Sequence, residues 1–413
     1  MKSKNKIAGA LTLGLVIVAG IYLNRDSTSD GLNLAIGTEP FDSLPAANVK
    51  GIVIRTSPTN SLTLRQVDGQ WRIKERGDYP ADKSMVDSFI LNFQNMKVLR
   101  SISATEGQLP TLNLLPPTNQ TATSETAVRV ELQDAQGKQI HSALLGKESS
   151  GPPALIPSSV PMADRRFLMI DDNPKSIIVV DQTFSTAETN PQDWLNKDFL
   201  KIENPTRIAV TFPGNSTNSW RISEQDNNGT MEWNLADHNA SVKLDTNVAP
   251  ISAFSSPSFE DVVAPSQAVL LDTNATRIEM VTRDGLQYAF AVKSLGKDKD
   301  GNDEGYLFKM DVNATFAPQR VPAKGEKPAD KGALDADWAK QQKELQDKLN
   351  EQKKFSSRVY QVPAHVVNNV IKKRAELIAS DPPPPFNPTS GGLPGPLLPP
   401  NFPPNPPQPD NLE

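Results

Sequence analysis

The chain has 413 residues and a net charge of −5, so it lacks the overall positive field that attracts nucleic acid. It contains no cysteine and only three histidines, His141, His238 and His365. Disulfides, thiol catalysis and cysteine-ligated zinc are therefore excluded, and the histidines lack the spacing of a helical metal motif. We expect no nucleic-acid partner.

The N-terminus carries a short lysine-rich stretch followed by 17 uncharged, mostly apolar residues, Ile7 to Leu23. As a helix this segment spans roughly 26 Å, close to the hydrocarbon thickness of a bilayer. Lysines at its leading end stay in the cytoplasm by the positive-inside rule. We predict that residues 1–24 form an uncleaved transmembrane anchor and that the rest of the chain lies outside the cytoplasm.

A cleaved signal peptide is the alternative for this segment, because Val18-Ala19-Gly20 offers small residues near a cleavage point. Ile21, Tyr22 and Leu23 continue the apolar stretch beyond that point, which favours the anchor. Residues 25–47 are polar and contain Pro40 and Pro45. They predict a tether between membrane and domain.

Residues 48–202 have the pattern of a first α+β repeat. Apolar and polar side chains alternate in Val49–Arg55 and Leu62–Val67, and the turn dipeptide Asp68-Gly69 leads into a strand at Trp71. Asp82 is a candidate N-cap for a helix of about 17 residues. Its apolar stripe consists of Val86, Phe89, Ile90, Phe93 and Met96.

Residues 203–380 repeat this order of elements, which predicts an internal duplication. Arg129-Val130-Glu131-Leu132 matches Arg277-Ile278-Glu279-Met280, and Leu145-Gly146-Lys147 matches Leu295-Gly296-Lys297. In place of the first helix, residues 248–263 are rich in proline and serine. A helix from Pro363 through Ala379 closes the second repeat, and a short helical stretch from Trp194 to Leu200 closes the first.

Two segments depart from the repeats. Residues 321–354 form an insertion whose helix, 334–354, has a thin apolar stripe. That stripe favours a solvated arm, with a docking helix for a partner as the alternative. Residues 381–413 contain fourteen prolines and are predicted to be a disordered tail. The fold class is thus α+β, with duplicated modules of antiparallel β-meander sheets each covered by a helix, an N-terminal transmembrane helix and a disordered Pro-rich C-terminal tail.

No residue set predicts catalysis, cofactor binding or a metal site. The stretch Asp298–Glu304 resembles a calcium loop, but Asp303 and Lys309 stand where an EF-hand needs glycine and glutamate. A charged hairpin loop is the better interpretation. His141 lies in a predicted strand and is expected to pack or to face solvent rather than act as a base. Trp71, Trp220 and Trp233 also lie on predicted strands, where core packing is favoured over a carbohydrate platform.

The order of elements resembles the bacterial family called domain of unknown function 4340 (DUF4340). The resemblance rests on Leu64–Trp71, Tyr79-Pro80-Ala81-Asp82 with the helix after it, Leu145-Gly146-Lys147, and the Val359-Tyr360 strand with its closing helix. It covers roughly residues 49–380 without the insertion. The family supplies no catalytic residues to carry over. It implies one N-terminal span, genes that often stand beside those of ABC transporters, and an accessory envelope role.

The leading hypothesis is a non-enzymatic, membrane-anchored accessory or scaffold protein of a bacterial envelope complex, with an ABC transporter as a candidate partner. We expect a single-pass protein of the bacterial inner membrane whose bulk lies on the periplasmic or extracytoplasmic side. The alternative is an envelope hydrolase or glycan-binding protein. A cleft lined by paired carboxylates or by exposed Trp71 and Trp233 would favour that alternative.

Overall fold

The computed structural model describes residues 34–379 apart from 119–122, 150–164, 237–242, 264–270, 272–273, 317 and 323–324. The predicted anchor and the predicted proline-rich tail lie outside the described residues. Within the described ranges, no helix is both long enough and apolar enough to cross a membrane. The described chain forms two large antiparallel sheets with few helices, so the α+β class is confirmed.

The first sheet has nine strands, which pair in an antiparallel manner throughout. They are β1 (Gly51–Ser57), β2 (Asn60–Val67), β3 (Gln70–Ile73), β4 (Tyr79–Pro80), β5 (Val98–Ile102), β6 (Val128–Gln133), β7 (Gln139–Ser149), β8 (Arg165–Ile170) and β9 (Ile177–Val180). Their spatial order is β4-β3-β2-β1-β6-β7-β8-β9-β5. The sequence pattern had missed β4 and β5, which are short and lie at the two edges.

The second sheet has eight strands, again antiparallel. They are β10 (Pro205–Phe212), β11 (Asn215–Asn227), β12 (Thr230–Leu235), β13 (Asp261–Val262), β14 (Thr276–Thr282), β15 (Leu286–Ser294), β16 (Tyr306–Ala314) and β17 (Val359–Val362). Their spatial order is β12-β11-β10-β14-β15-β16-β17-β13. Apart from β4, this is the strand order of the first sheet, position by position.

Residue registers agree as well as strand order. Ile52 in β1 lies between Leu64 of β2 and Leu132 of β6, and Ile208 in β10 lies between two apolar partners in β11 and β14. Because side chains alternate along a strand, equal registers place the same positions on the core face of each sheet. Residues of the two halves can therefore be compared one by one.

Helix α1 (Lys83–Asn95) covers the inner face of the first sheet. The carboxylate of Asp82 caps it by accepting the backbone N–H groups of Ser84 and Met85 at 2.8 and 3.2 Å. The predicted apolar stripe is buried. The helix is shorter than the expected length of about 17 residues, because Met96 is already extended and leads into β5.

The inner face of the second sheet has a different cover. The prolines and serines of 248–263 give turns rather than a helix, and Phe254 packs from these turns onto Phe290 and Phe308 at 4.9 and 5.7 Å between ring centres. Helix α2 (Lys331–Lys353) packs against β16, and its Leu345 and Leu349 join the core. The interpretation of 321–354 as a solvated arm is therefore wrong for the C-terminal half of α2.

The two predicted closing helices are also wrong. In the second half, α3 spans only Ala364–Asn368, and a separate 3-10 turn follows at Arg374–Leu377. The helix ends early because the following residues pair with an earlier segment of the chain. The backbone N–H of Ala379 donates to the carbonyl of Lys243 at 2.9 Å. In the first half a 3-10 turn at Pro191–Trp194 is followed by the same kind of pairing, from Asn196 to the carbonyl of Pro80.

Residues 34–47 do not form the predicted tether. Phe41 and Leu44 are fully packed into the core, and Gly37 and Thr38 exchange backbone hydrogen bonds with Val98 at 2.7 and 2.9 Å. A single buried cluster runs from Phe41 through both sheets to Leu377. The two halves therefore share one hydrophobic core.

Candidate functional site

An ion pair joins the two halves at their junction. The Arg76 guanidinium, next to β3, binds both carboxylate oxygens of Asp261 in β13 at 2.7 and 2.8 Å. Their side chains are only 19% and 12% exposed. The amide of Gln192 and the backbone N–H of Val262 also donate to Asp261, at 3.0 and 2.8 Å. This carboxylate is occupied by structural contacts and is not a free base.

Aromatic rings also join the two halves. Tyr79 lies 6.0 Å from Phe259 and 6.2 Å from Tyr360, and Phe199 lies 4.8 Å from Tyr360. Burial raises the pKa of Tyr79 to about 12 and also raises the pKa of Tyr360. Both phenols therefore remain protonated above their ordinary pKa, and their rings contribute to the packing of the junction.

His141 in β7 lies against a turn that follows β8. One ring nitrogen is 3.5 Å from the carboxylate of Asp171, and the ring packs edge-on against Phe41 at 5.1 Å. The neighbouring Ser142 donates its backbone N–H to the same carboxylate at 2.7 Å. Successive strand residues point to opposite faces, so His141 and Ser142 do not form a nucleophile–base pair.

The acidic loop that resembles a calcium site connects β15 and β16. The Asp298 carboxylate accepts the backbone N–H groups of Asn302 and Asp300 at 2.8 and 2.9 Å, and these bonds lower its pKa. The Lys297 ammonium donates to the carbonyl of Gly301 at 3.1 Å. The loop is a charged hairpin, and in the described part of the chain no three metal-ligating side chains converge.

The three strand tryptophans do not form one exposed platform. Trp71 is 3% exposed, and Trp220 is buried with its indole N–H donating to the carbonyl of Lys372 at 2.7 Å. Trp233 is partly buried against the core. Trp71 and Trp233 occupy equivalent positions in different sheets. Each lies two residues before a core residue of its strand, Ile73 or Leu235, in the strand pairing.

A surface groove lies beside Trp71 in the first half and has a volume of about 320 Å³. It runs between the start of β1, the end of β2 and helix α1. Lys50 and Gln66 form its polar side, with the ammonium donating to the amide oxygen at 2.6 Å. Its full lining is Ala46, Ala47, Val49, Lys50, Gln66, Trp71, Asp87, Ile90 and Leu91. We call this the α1 groove.

The second half has a groove of about 410 Å³ in the matching place. It is lined by the residues that precede β10, by Glu224 in β11 and by the turns that replace α1. Glu224 corresponds to Gln66, because each pairs with the equivalent tryptophan. Here Glu224 forms an ion pair of 2.5 Å with Arg283, so the cation that lines this twin groove is neutralised by a carboxylate.

The sequence had singled out Trp71, Trp233, His141 and the acidic loop, and the structure brings none of these together. It reveals two features that the sequence pattern did not indicate, the Arg76–Asp261 pair and the α1 groove. Arg76 and Asp261 are 185 positions apart, and only β13, a two-residue strand, places the carboxylate there. For the groove, the equivalence of Trp71 and Trp233 was the one available signal.

Comparison with known families supports the resemblance drawn from the sequence. The model of the domain of unknown function DUF4340 matches residues 71–272, close to half of the chain. Searches among curated proteins and among solved structures gave no match. The matched region starts at Trp71 in β3 and includes Asp261, so it reaches from the first sheet across the junction into the second. Residues 71–272 are therefore assigned to the DUF4340 family.

Proposed function

We propose that this protein is a non-enzymatic, membrane-anchored accessory or scaffold protein of a bacterial envelope complex, with an ABC transporter as the candidate partner. The carrying observation is the junction, where a bidentate ion pair and a shared aromatic core fix two large sheets to each other. Such a body offers broad surfaces of fixed geometry, as a scaffold requires. Its best-placed polar groups, including Asp261 and Asp298, are held by structural hydrogen bonds.

The proposal includes the anchor at residues 1–24 and a location of the folded body outside the cytoplasm. The apolar stretch and its leading lysines support this topology. A reporter fused after position 30 should be active only on the outer side of the inner membrane. Activity in the cytosol would contradict it, and a mature mass lower by about twenty residues would indicate the cleaved signal peptide instead.

We also propose that the body arose by duplication of one α+β module. Support comes from the common strand order and from repeated loop contacts. The backbone N–H of Asp82 donates a hydrogen bond to the carbonyl of Trp194 at 2.8 Å. The backbone N–H of Asp245 donates in the same way to the carbonyl of Leu377 at 2.9 Å. The carboxylates of both aspartates then accept an N–H two residues later, at 2.8 and 2.9 Å.

Co-purification tests the scaffold role. The full chain, expressed at native level, should be recovered from membranes in mild detergent together with other envelope proteins. The control is a chimera in which residues 1–33 carry an unrelated soluble domain, so that recovery caused by the anchor alone is subtracted. Recovery of the full chain as a lone monomer would contradict the proposal.

The exposed half of α2 is the proposed partner-docking element within this role. Deletion of 321–354 is a poor test, because Leu349 is buried in the core and its loss would destabilise the sheet. Substitution of the half-exposed Leu334 and Trp338 by serine leaves that contact in place. Unchanged partner recovery from this double variant would remove α2 from the proposal.

The hydrolase or glycan-binding alternative has less support. Trp71 lies beneath the surface at 3% exposure, and its counterpart Trp233 belongs to the other sheet. A sugar platform needs exposed ring faces, which Trp71 does not offer. Measurable binding of envelope glycan fragments, lost on Trp233→Ala, would reinstate that alternative.

A further inference from the structure

The α1 groove is lined by an indole whose N–H has no acceptor among the described residues. Trp71 is 97% buried, since its exposed fraction is 3%, and it lines the groove. The indoles of Trp194 and Trp220 donate to backbone carbonyls at 3.3 and 2.7 Å. No described residue accepts a hydrogen bond from the Trp71 indole. The Trp71 N–H is not among the fully buried unpaired polar atoms of the described residues, so solvent reaches it and it is free to donate to an acceptor.

The same groove contains a cation that no carboxylate neutralises. Lys50 is half-buried, and its ammonium donates to the neutral amide of Gln66. Asp87, on the opposite wall, is paired with Lys83 through one carboxylate oxygen. Partly buried cations interact strongly with anions, because solvent screens them less than exposed ones. The polar side of the groove is therefore suited to a negatively charged group.

The remaining wall is apolar and short. Val49 and Ile90 are buried behind it, and Leu91 on α1 stands 47% exposed at its rim. This wall suits one apolar side chain. A long alkyl chain would need a deeper, more enclosed cavity, since most of a bound ligand's surface is normally buried.

In the twin groove, the residues equivalent to Lys50 and Gln66 have partners within the protein. The position of Lys50, two residues before the central isoleucine, is taken there by Thr206, whose hydroxyl donates to the carbonyl of Val281 at 3.2 Å. Glu224 is neutralised by Arg283. The duplication has thus left one groove with an unneutralised cation and one without.

We propose that the α1 groove binds the C-terminal carboxylate of another polypeptide that ends in an apolar residue. The carboxylate lies against the Lys50 ammonium, an oxygen of the terminal residue accepts the Trp71 indole N–H, and the last side chain packs on Ile90 and Leu91. Asp87 supplies an acceptor for a backbone N–H, which a peptide has and a simple carboxylic acid lacks. Capture of a chain terminus is a known mode of peptide recognition. This proposal does not depend on the scaffold function.

Calorimetric titration tests it with the full chain in lipid nanodiscs. The probes are the peptide acetyl-Ala-Ala-Leu as free acid, the same peptide as C-terminal amide, and hexanoate. We expect the free acid to bind about tenfold or more tightly than the amide, the effect of one hydrogen bond to a charged group. Lys50→Gln should abolish that difference, and Trp71→Phe should weaken both peptides several-fold.

Trp233→Phe, at the equivalent strand position of the second sheet, is the matched control and should leave both affinities unchanged. Lys50→Gln alters a half-exposed side chain, so it keeps the test valid even if Trp71→Phe proves unstable in a thermal melt. Equal affinity of acid and amide, failure of all probes to bind, or an unaltered preference in Lys50→Gln would overturn the proposal. Hexanoate binding as tightly as the peptide acid would overturn the assignment to a chain terminus.

Discussion

The two halves of the molecule share a strand order but not a cover. The first sheet is covered on its inner face by α1, and on its outer face by a segment whose Leu109, Leu112 and Leu114 form a second buried cluster. The second sheet has turns, the C-terminal half of α2 and the short α3 over its inner face. Strand pairing fixes the sheet, since register and alternation specify it, whereas any apolar set of the right volume can cover it.

The largest expected effect comes from removing the main aromatic residue of each cover. Phe89→Ala in α1 and Phe254→Ala in the turns of the second half should each lower the free energy of unfolding by about 3–5 kcal/mol, because both phenylalanines are fully buried. Since one cluster spans both sheets, each variant should still unfold in a single transition. Calorimetry measures both the loss and the number of transitions.

Leu91→Ala is the control for the first of these variants, as it lies on the same helix but is half exposed. Its effect should stay within about 1 kcal/mol. If either phenylalanine variant unfolded in two separate steps, the halves would be independent domains and the shared core would not couple them.

The next effect concerns the junction. Asp261→Ala leaves the mostly buried Arg76 guanidinium without its partner, and loss of one member of a buried pair costs about 3 kcal/mol or more. Arg76→Met with Asp261→Leu removes both charges and should recover much of that loss. Urea denaturation compares the three proteins.

Glu344→Gln, which removes an exposed ion pair with Lys340, is the control and should change stability by less than about 0.5 kcal/mol. A double variant no more stable than Asp261→Ala would mean that the carboxylate acts through Gln192 and Val262 rather than through Arg76.

The sequence predicted most strands and the first helix because these elements depend on local signals. Alternation marks Val49–Arg55, and Asp82 with the stripe from Val86 to Met96 marks α1. The prediction of the two closing helices was wrong because the segments around Asn196 and Ala379 form hydrogen bonds with distant parts of the backbone. Such tertiary pairing overrides helix propensity. The α1 groove could not be predicted, as its walls come from three separate elements.

One sequence match proved to be coincidental. Leu145-Gly146-Lys147 and Leu295-Gly296-Lys297 look equivalent, but the β-ladders align Leu145 with Val292. The β-ladders likewise align Tyr360 with Ile178. A one-residue shift moves a side chain to the other face of a sheet, which is why short β motifs fix strand order better than register.

Gly146 and Gly296 differ in the space around them and in their backbone conformation. A Cβ on Gly146 would lie 2.5 Å from the carbonyl oxygen of Leu112 in the segment that covers the first sheet. Gly146→Ala should therefore cost about 1–3 kcal/mol through overpacking. Gly296 has open space around it but a φ of +116°, so Gly296→Ala should cost about 1 kcal/mol through backbone strain alone.

Thermal unfolding and amide exchange distinguish the two causes. Gly146→Ala should speed exchange in the covering segment around Leu112, whereas Gly296→Ala should affect only its own hairpin loop. Equal local effects in both variants would mean that the covering segment does not rest on Gly146.

The smallest expected loss of stability comes from replacing the equivalent aspartates, Asp82 and Asp245. Asp82 caps the 13-residue α1, so Asp82→Ala should cost about 1 kcal/mol. Asp245 accepts a single N–H at the start of a turn, and Asp245→Ala should cost about half as much. The hydrogen bond from the Ser84 side chain and those from the backbone of Met85 and Ser84 lower the pKa of Asp82.

A lowered carboxyl pKa has a defined consequence for pH dependence. The capping contribution of Asp82 is complete above the ordinary carboxyl pKa and is lost as the pH falls through the lower, folded-state value. Asp82→Asn keeps an oxygen acceptor but cannot titrate, so the difference in stability between the native protein and this variant should shrink below about pH 4. A difference that stays constant from pH 7 to pH 3 would mean that the charge of Asp82 contributes nothing to the cap, and that α1 begins through its hydrogen bonds alone.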